Sequence, residues 1–245
     1  PASLGGLTVR DISLDARLQD GQLRVEPLAF DLAGGSLRLT LSLDGGAEPV
    51  QAAATAEARQ LRLNAVLPGP DLSGRIQGVV GGRIDVKATG ARLEPLLASL
   101  DGRIELIMAD GQVDARILEK MGLDLGEMLL TGKTQMVPIR CGIAVLPASD
   151  GVLTLKTFVL DTKDTKVTGR GTINLAERRL DLVLKAHAKD PSLPAADAPI
   201  HIEGSFRHPS LYPDKSALAA ELGAALLPLV EAGDATAGDC RALDP

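Results

Sequence analysis

Few residues in this 245-residue chain have types and spacing that could do chemistry, and most of those few fail on spacing. Thr131-Gly132-Lys133-Thr134 has the ending of a phosphate-binding loop. That loop needs its first glycine four residues before Gly-Lys-Thr, where Glu127 stands; Gly126 is one position early. It also follows a helical pattern where a strand is required, so a solvated turn is the better reading. Gly169-Arg170-Gly171 lacks the third glycine and the following helix of a dinucleotide site. Inside a strand pattern it predicts a bend in a sheet. His201 and Glu203 lie two apart on one strand face, with His187 and His208 elsewhere. A metal centre needs a third and fourth converging ligand, which no spacing supplies. There is no Gly-x-Ser-x-Gly elbow, and neither cysteine has the surroundings of a catalytic thiol. The expectation is a chain without catalytic residues, metal or cofactor, and not an enzyme.

The two cysteines, Cys141 and Cys240, fit no zinc spacing. They are either two separate buried thiols or a disulfide tying the C-terminal tail to a strand. Closing so long a loop would stabilise by ~4–5 kcal/mol and would imply an oxidising compartment.

What must position such residues is a frame of unusual composition. Apolar residues make up 45% of the chain, yet there are three Phe, one Tyr and no Trp. Aromatic rings normally supply much of the area that closes a core, so Leu, Val, Ile and Ala must do so here. The 26 Gly and 15 Pro imply many turns. The net charge of -6 is spread along the chain, and no basic cluster is interleaved with aromatics. This argues against nucleic acid as a partner and against charge-driven attachment to an anionic membrane. The longest helix-like apolar run, 217–230, is interrupted by Glu221 and Pro228 and falls short of the ~20 residues that cross a bilayer. The start at Pro1 reads as that of a piece of a longer protein.

Alternation dominates the pattern. Leu7 and Val9 are followed by Ile12, Leu14, Ala16 and Leu18, then by the hairpin signal Asp20-Gly21. Leu23, Val25, Leu28, Phe30 and Leu32 lead to a turn at Gly34-Gly35, and Leu37, Leu39, Leu41 and Leu43 form the next strand. A repeat is visible between 20–31 (DGQLRVEPLAFD) and 150–161 (DGVLTLKTFVLD). Leu23, Val25, Leu28 and Phe30 correspond to Leu153, Leu155, Phe158 and Leu160; farther on, Leu37 matches Val167 and Leu43 matches Ile173. The jump of three within each unit would reverse the apolar face. A bulge or tight bend near Pro27 and Thr157 would absorb it, and Val9 to Ile12 makes the same jump. A repeated bulge would curve the sheet.

The remaining elements read as follows. Ile84 and Val86 suggest a strand in a Gly-rich middle, and Leu93, Leu96, Leu97 and Leu100 a short amphipathic helix near 93–100. A strand with Ile104 and Leu106 ends at Asp110-Gly111. Helical spacing from Val113 through Ile117, Leu118, Met121, Leu125, Met128 and Leu129 predicts a helix over 112–130. Met136 to Val145 is a strand containing Cys141. Ile173 and Leu175, then Leu180, Leu182 and Leu184, form a hairpin with one apolar side. A Pro/Ala-rich linker precedes a last strand, Ile200 to Phe206, and a helix near 215–231.

Four segments in order, 93–123, 138–162, 167–184 and 199–214, together with the late Cys240, resemble the AsmA family of Gram-negative envelope proteins. The resemblance covers about 92–245; residues 1–91 share it only as repeated Leu-rich strands. Two regions follow: 1–91 as a repeated strand unit and 92–245 as an AsmA-like C-terminal domain.

The resemblance implies a Cys141–Cys240 disulfide and a mainly β fold with a few helices. It implies an elongated, strongly curved antiparallel sheet forming an open apolar groove. The groove would be lined by Leu23, Val25, Leu28, Phe30, Leu37, Leu39, Leu41, Leu43, Ile104, Leu106, Leu153, Leu155, Phe158, Leu160, Val167, Ile173, Leu175, Leu180, Leu182, Leu184, Ile200 and Ile202. The implied setting is the periplasm, with the parent protein anchored in the inner membrane and membranes at its ends. The implied function is moving phospholipid or another acyl-chain lipid to the outer membrane. The alternative is an interaction module for an outer-membrane or periplasmic protein partner during envelope assembly. From pattern alone, an apolar sheet face is more often covered by a second layer. The Leu-rich, aromatic-poor lining and the repeated bend favour the groove.

Overall fold

Alternating sequences make strands, and here they make little else. The computed structural model describes residues 2–4, 7–66, 74–114, 136–163, 165–189 and 199–214. Within them lie fourteen strands: β1 (Ala2–Leu4), β2 (Leu7–Gln19), β3 (Gln22–Leu32), β4 (Gly35–Asp44), β5 (Gln51–Arg62), β6 (Ile76–Thr89), β7 (Asp101–Asp114), β8 (Met136–Ser149), β9 (Val152–Thr154), β10 (Thr157–Thr162), β11 (Thr165–Asn174), β12 (Arg179–Ala188), β13 (Ile200–Ser205) and β14 (His208–Pro213). All pair antiparallel in one sheet whose order follows the chain; only β9 lies off the path, between β8 and β11. Two short helices accompany it, α1 (Leu63–Val66) and α2 (Leu93–Ala98). The expectation of a mainly β antiparallel sheet with few helices holds.

Turn chemistry sets the register. Asp20-Gly21, Ala33-Gly34 and Asp150-Gly151 each carry two successive positive φ values, 50° and 77°, 52° and 82°, 48° and 72°. Such pairs match the right-handed twist of the strands they join. The second turn therefore sits one residue earlier than Gly34-Gly35, and Gly35 opens β4. The bulges fall where the jumps of three required them. Register shifts occur between Arg10 and Ser13 and between Val25 and Leu28. In the second unit the strand breaks at Leu155-Lys156, between β9 and β10. The repeat is structural as well: Leu37 pairs Phe30 as Val167 pairs Leu160, and Leu43 pairs Leu23 as Ile173 pairs Leu153.

Four readings change. Asp110-Gly111 does not end a strand; β7 runs through it to Asp114, with Asp110 at φ 50° beside a register shift against β6. Val113 and Asp114 are accordingly strand rather than helix, paired with Val137 and Met136. β5 was not anticipated, because its apolar positions are alanines. β14 was hidden by its prolines. Residues 115–130 of the helix expected over 112–130, the helix expected over 215–231 and the Thr131–Thr134 turn lie outside the described residues. The helix near 93–100 is α2, tied to β6 through the Ser99 hydroxyl, which donates to Thr89 O and accepts from Thr89 N–H.

The two faces differ in chemistry. On one face, Arg38, Glu57, Arg83 and Glu105 stand directly opposite one another across β4 to β7. Glu57 binds Arg59 at 2.8 Å and Arg83 at 3.8 Å, and Arg103 pairs with Glu105. The hydrogen bond from Arg59, aided by the charges of Arg59, Arg83 and Arg38, holds the Glu57 carboxyl below its ordinary 4.5. On the other face Gly169 and Gly171 make room. A Cβ on Gly169 would lie 2.8 Å from Leu184 Cδ2 and 2.9 Å from Phe158 Cδ1. Gly171, at φ 132°, would place one 2.1 Å from Asp181 O.

Gly171→Ala should therefore destabilise the chain by about 1–3 kcal/mol; an unchanged urea midpoint would refute this. Glu57 stabilises fully above its ordinary pKa, and the effect is lost as pH falls through the lowered folded value. Glu57→Gln should lower the urea midpoint near neutral pH, less so in high salt, and match the parent chain well below pH 4.5.

Candidate functional site

Residues directly opposite in a ladder share a face, so the register alone assembles the candidate site. One row runs Ala16, Val25, Leu41, Ala54, Val86, Gly102, Ala148, Leu153, Ile173, Leu180, Gly204, Pro209, from β2 to β14. A second begins Leu14, Leu28, Leu39, Ala56, Ile84, Ile104, Leu146. A third runs Phe30, Leu37, Ala58, Gly82, Leu106, Ala144, Phe158. No charged side chain interrupts these three. The rows parallel to them through Arg38, Thr40 and Ser42 belong to the opposite face.

The expected lining residues fall on this one face, and burial divides them. Leu153, Leu155, Val167 and Ile200 are buried at 8% exposure or less. They belong to the closed interior. Leu153 and Leu155 pack with Leu146 and Ala148 in a cluster joined by Leu100, Ile104, Phe158, Ile173, Leu175 and Leu182. Leu160 packs on a second cluster of Val113, Val137 and Ile139. Leu23, Val25, Leu28, Phe30, Leu37, Leu39, Leu41 and Leu43 are half-buried, as are Leu180, Leu184 and Ile202, and Leu106 is exposed. Toward the β2 edge the face opens further, with Ile12, Leu14 and Leu18 at 54%, 61% and 76%.

Reading the sequence missed part of this face. Ala52, Ala54, Ala56 and Ala58 form a shallow lane on β5 between the Leu columns of β4 and the Ile84–Val86 stretch of β6. Their signal was present: polar Thr55, Glu57 and Arg59 alternate with them. Val80, Met108, Ala144, Leu146 and Ala148 belong to the same side. One indentation of about 600 Å³ opens at the strand ends, where Leu23, Leu43, Ala52 and Ala88 of the apolar face meet Gln22, Asp44, Thr89, Asp101 and Asp150. Another of about 580 Å³ lies over Arg83, Asp85, Lys87 and Arg103 on the charged face.

The chemically capable side chains do not converge on the apolar face. His201 stacks on Tyr212, with ring centroids 5.3 Å apart, across the β13–β14 ladder. Its ring nitrogens lie 3.5 Å from Glu203 and 3.6 Å from Asp214. A hydrogen bond to Glu203 pushes the Tyr212 hydroxyl above its usual range. Among the described residues no group of three or more His, Cys, Asp or Glu is placed to hold a metal. The G-x-G of 169–171 lies inside β11, beside leucines and a phenylalanine. Cys141, on β8, is disulfide-bonded. Cys240 lies outside the described residues.

The chain is 28% identical over 251 residues to the AsmA family protein YhjG of Escherichia coli (strain K12); the match covers 97% of this chain and 37% of that protein. The chain thus spans little more than a third of the length of this relative. No solved structure gives a significant match. The model of the AsmA family matches residues 2–189, more than half of the chain, and this chain belongs to the AsmA family.

Proposed function

We propose that this chain is the lipid-holding part of a longer envelope protein, and that the apolar face shelters acyl chains on their way across the periplasm. The observation that carries the reading is the set of uninterrupted apolar rows, half-buried from β3 to β6 with no second sheet laid over them among the described residues. Membership in an envelope protein family agrees with a location in the Gram-negative envelope. No helix among the described residues is long and apolar enough to cross a membrane.

Size favours a hydrocarbon tail as the guest. Six strands, β2 to β7, at ~4.8 Å spacing give an open track of roughly 24 Å. One leaflet contributes about half of the ~30 Å hydrocarbon core of a bilayer, so a tail fits along the track. Each methylene removed from water is worth ~0.8 kcal/mol. Leu, Val and Ala offer no directional bonds, so a tail can slide without breaking any.

Bending about the apolar face supports a trough rather than a plane. Ala186 of β12 packs against the Val113–Val137–Ile139 cluster of β7 and β8. In a flat sheet β12 would lie three spacings, about 14 Å, from β8, beyond the reach of Ala and Ile side chains. The glycines at 169 and 171 and the repeated bulges allow such a bend.

Leu39 is the better test of loading, because Leu182 packs on the closed cluster and its loss would also weaken the fold. Mass spectrometry of organic extracts from gently purified protein should find phospholipid or another acyl-chain lipid. Leu39→Asp should reduce it by about tenfold or more at unchanged circular dichroism, since a carboxylate would enter the hydrocarbon's path. Lipid-free parent protein, or equal loading in the variant, would sink the reading.

A further inference from the structure

The face opposite the apolar rows changes character along the sheet. On β6 and β7 it is charged and open, with Arg83, Asp85 and Arg103 exposed. On β8 and β10 it carries Ile143, Val145 and Val159, which are half-buried. Ile143 stands opposite Ile107 of β7 and Val159 of β10, and Val145 stands opposite Glu105, so all three lie on the charged side of the ladder. Lys166 and Lys185, on β11 and β12, are half-buried on the same side. Among the described residues no second sheet covers these strands, and the two short helices pack on β5 and β6.

Cys141 belongs to this side. It pairs with Ala109 and Asp161, one alternation away from the row of Ile107, Ile143 and Val159. Cys141 is disulfide-bonded, and the chain has one other cysteine, Cys240. The bond therefore brings Cys240 to β8. The last described strand ends at the far edge, where Asp214 N–H donates to Pro199 O beyond the Ile200–Pro213 pair. By the register, 199 and 214 continue the row of Ile143, Val159, Thr168 and Lys185. The departure at β14 and the anchor on β8 thus lie at neighbouring levels of the ladder. They are five strand spacings apart, about 24 Å.

The sequence between them suits that span. Leu218, Leu222 and Leu226 fall at i, i+4 and i+8, on one face of the helix expected near 215–231. A helix ended by Pro228 would run over about 215–227 and measure roughly 20 Å. Residues 229–239 supply the rest of the path to Cys240. Between 215 and 239 stand the acidic Glu221, Glu231, Asp234 and Asp239 and one base, Lys215. Along the path across the sheet, Arg140, Lys166, Lys185 and Lys189 outnumber Asp161 and Asp214, so the signs are complementary.

We propose that residues 215–239 form a strap that crosses this face from β14 to β8. A Cys141–Cys240 disulfide pins it there, with its leucines over Ile143, Val145 and Val159. The strap spans the strands that bend about the apolar face and braces them from behind. It lies on the side away from the apolar rows, so the inference stands whether or not lipid is the guest.

Hydroxyl-radical footprinting of the full 245-residue chain reads side-chain exposure and tests it. Cys240→Ser combined with Leu222→Asp should raise oxidation of Ile143 and Val159 at least about threefold. Ile107, in the same row but beyond the strap, should keep its rate, which separates a lifted strap from a loosened sheet. Leu222→Asp alone, with the disulfide intact, should give a smaller rise at the same two residues. Equal oxidation of Ile143 and Val159 in the parent chain and the double variant would overturn the proposal. So would a rise at Ile107 as large as theirs, or a Cys141–Cys240 bond found by non-reducing mass spectrometry to join two chains.

Discussion

Pairing between successive strands fixes which face every side chain takes, and a slip of one residue would exchange the faces of a whole strand. The molecule depends on keeping that parity across a sheet of fourteen strands. Three sites where the apolar spacing jumps from two to three would break it. At Asp11-Ile12 and Glu26-Pro27 the ladder skips residues, and at Leu155-Lys156 the strand is interrupted. Each irregularity returns the next leucine or phenylalanine to the face of the one before it. Without them, Leu28 and Phe30 would stand among the arginines.

Once parity is held, the two faces acquire separate energetics. The charged face is a ladder of alternating signs in contact with water, where each pair adds little and salt screens it. The apolar face carries the cohesion. Its most buried part lies on β7 to β11, where Val113, Val137, Leu146, Leu153 and Val167 are buried. On β3 and β4 the same kind of residue stays half-buried, and on β2 Ile12, Leu14 and Leu18 are exposed. Scarcity of aromatics fits such a face, since a ring would fill the shallow lane left by Ala52 to Ala58.

A sheet that adds strands in chain order has two ends, and each exposes backbone donors and acceptors. At β14, Pro209 and Pro213 remove two backbone donors and Leu211 keeps its own. At β2 the donors remain, beside side chains that continue the apolar rows.

Much of this could be read in the sequence. The alternation in 7–43 and 173–184, the Asp-Gly turns and the repeated jump of three determined strands, hairpins and bulges, because side-chain direction alternates by covalent geometry alone. The repeat even carried its pairing: Leu37 with Phe30 and Val167 with Leu160. Less legible were β5, whose alanines carry little apolar signal, and β14, whose prolines argue against a strand unless it lies at an edge. Only the tertiary structure decided which leucines are sealed and which stay accessible. Leu39 and Leu153 look alike in sequence, yet one is half-buried and the other lies in the interior. Burial depends on what packs across the face from distant strands, and a local pattern holds no information about that.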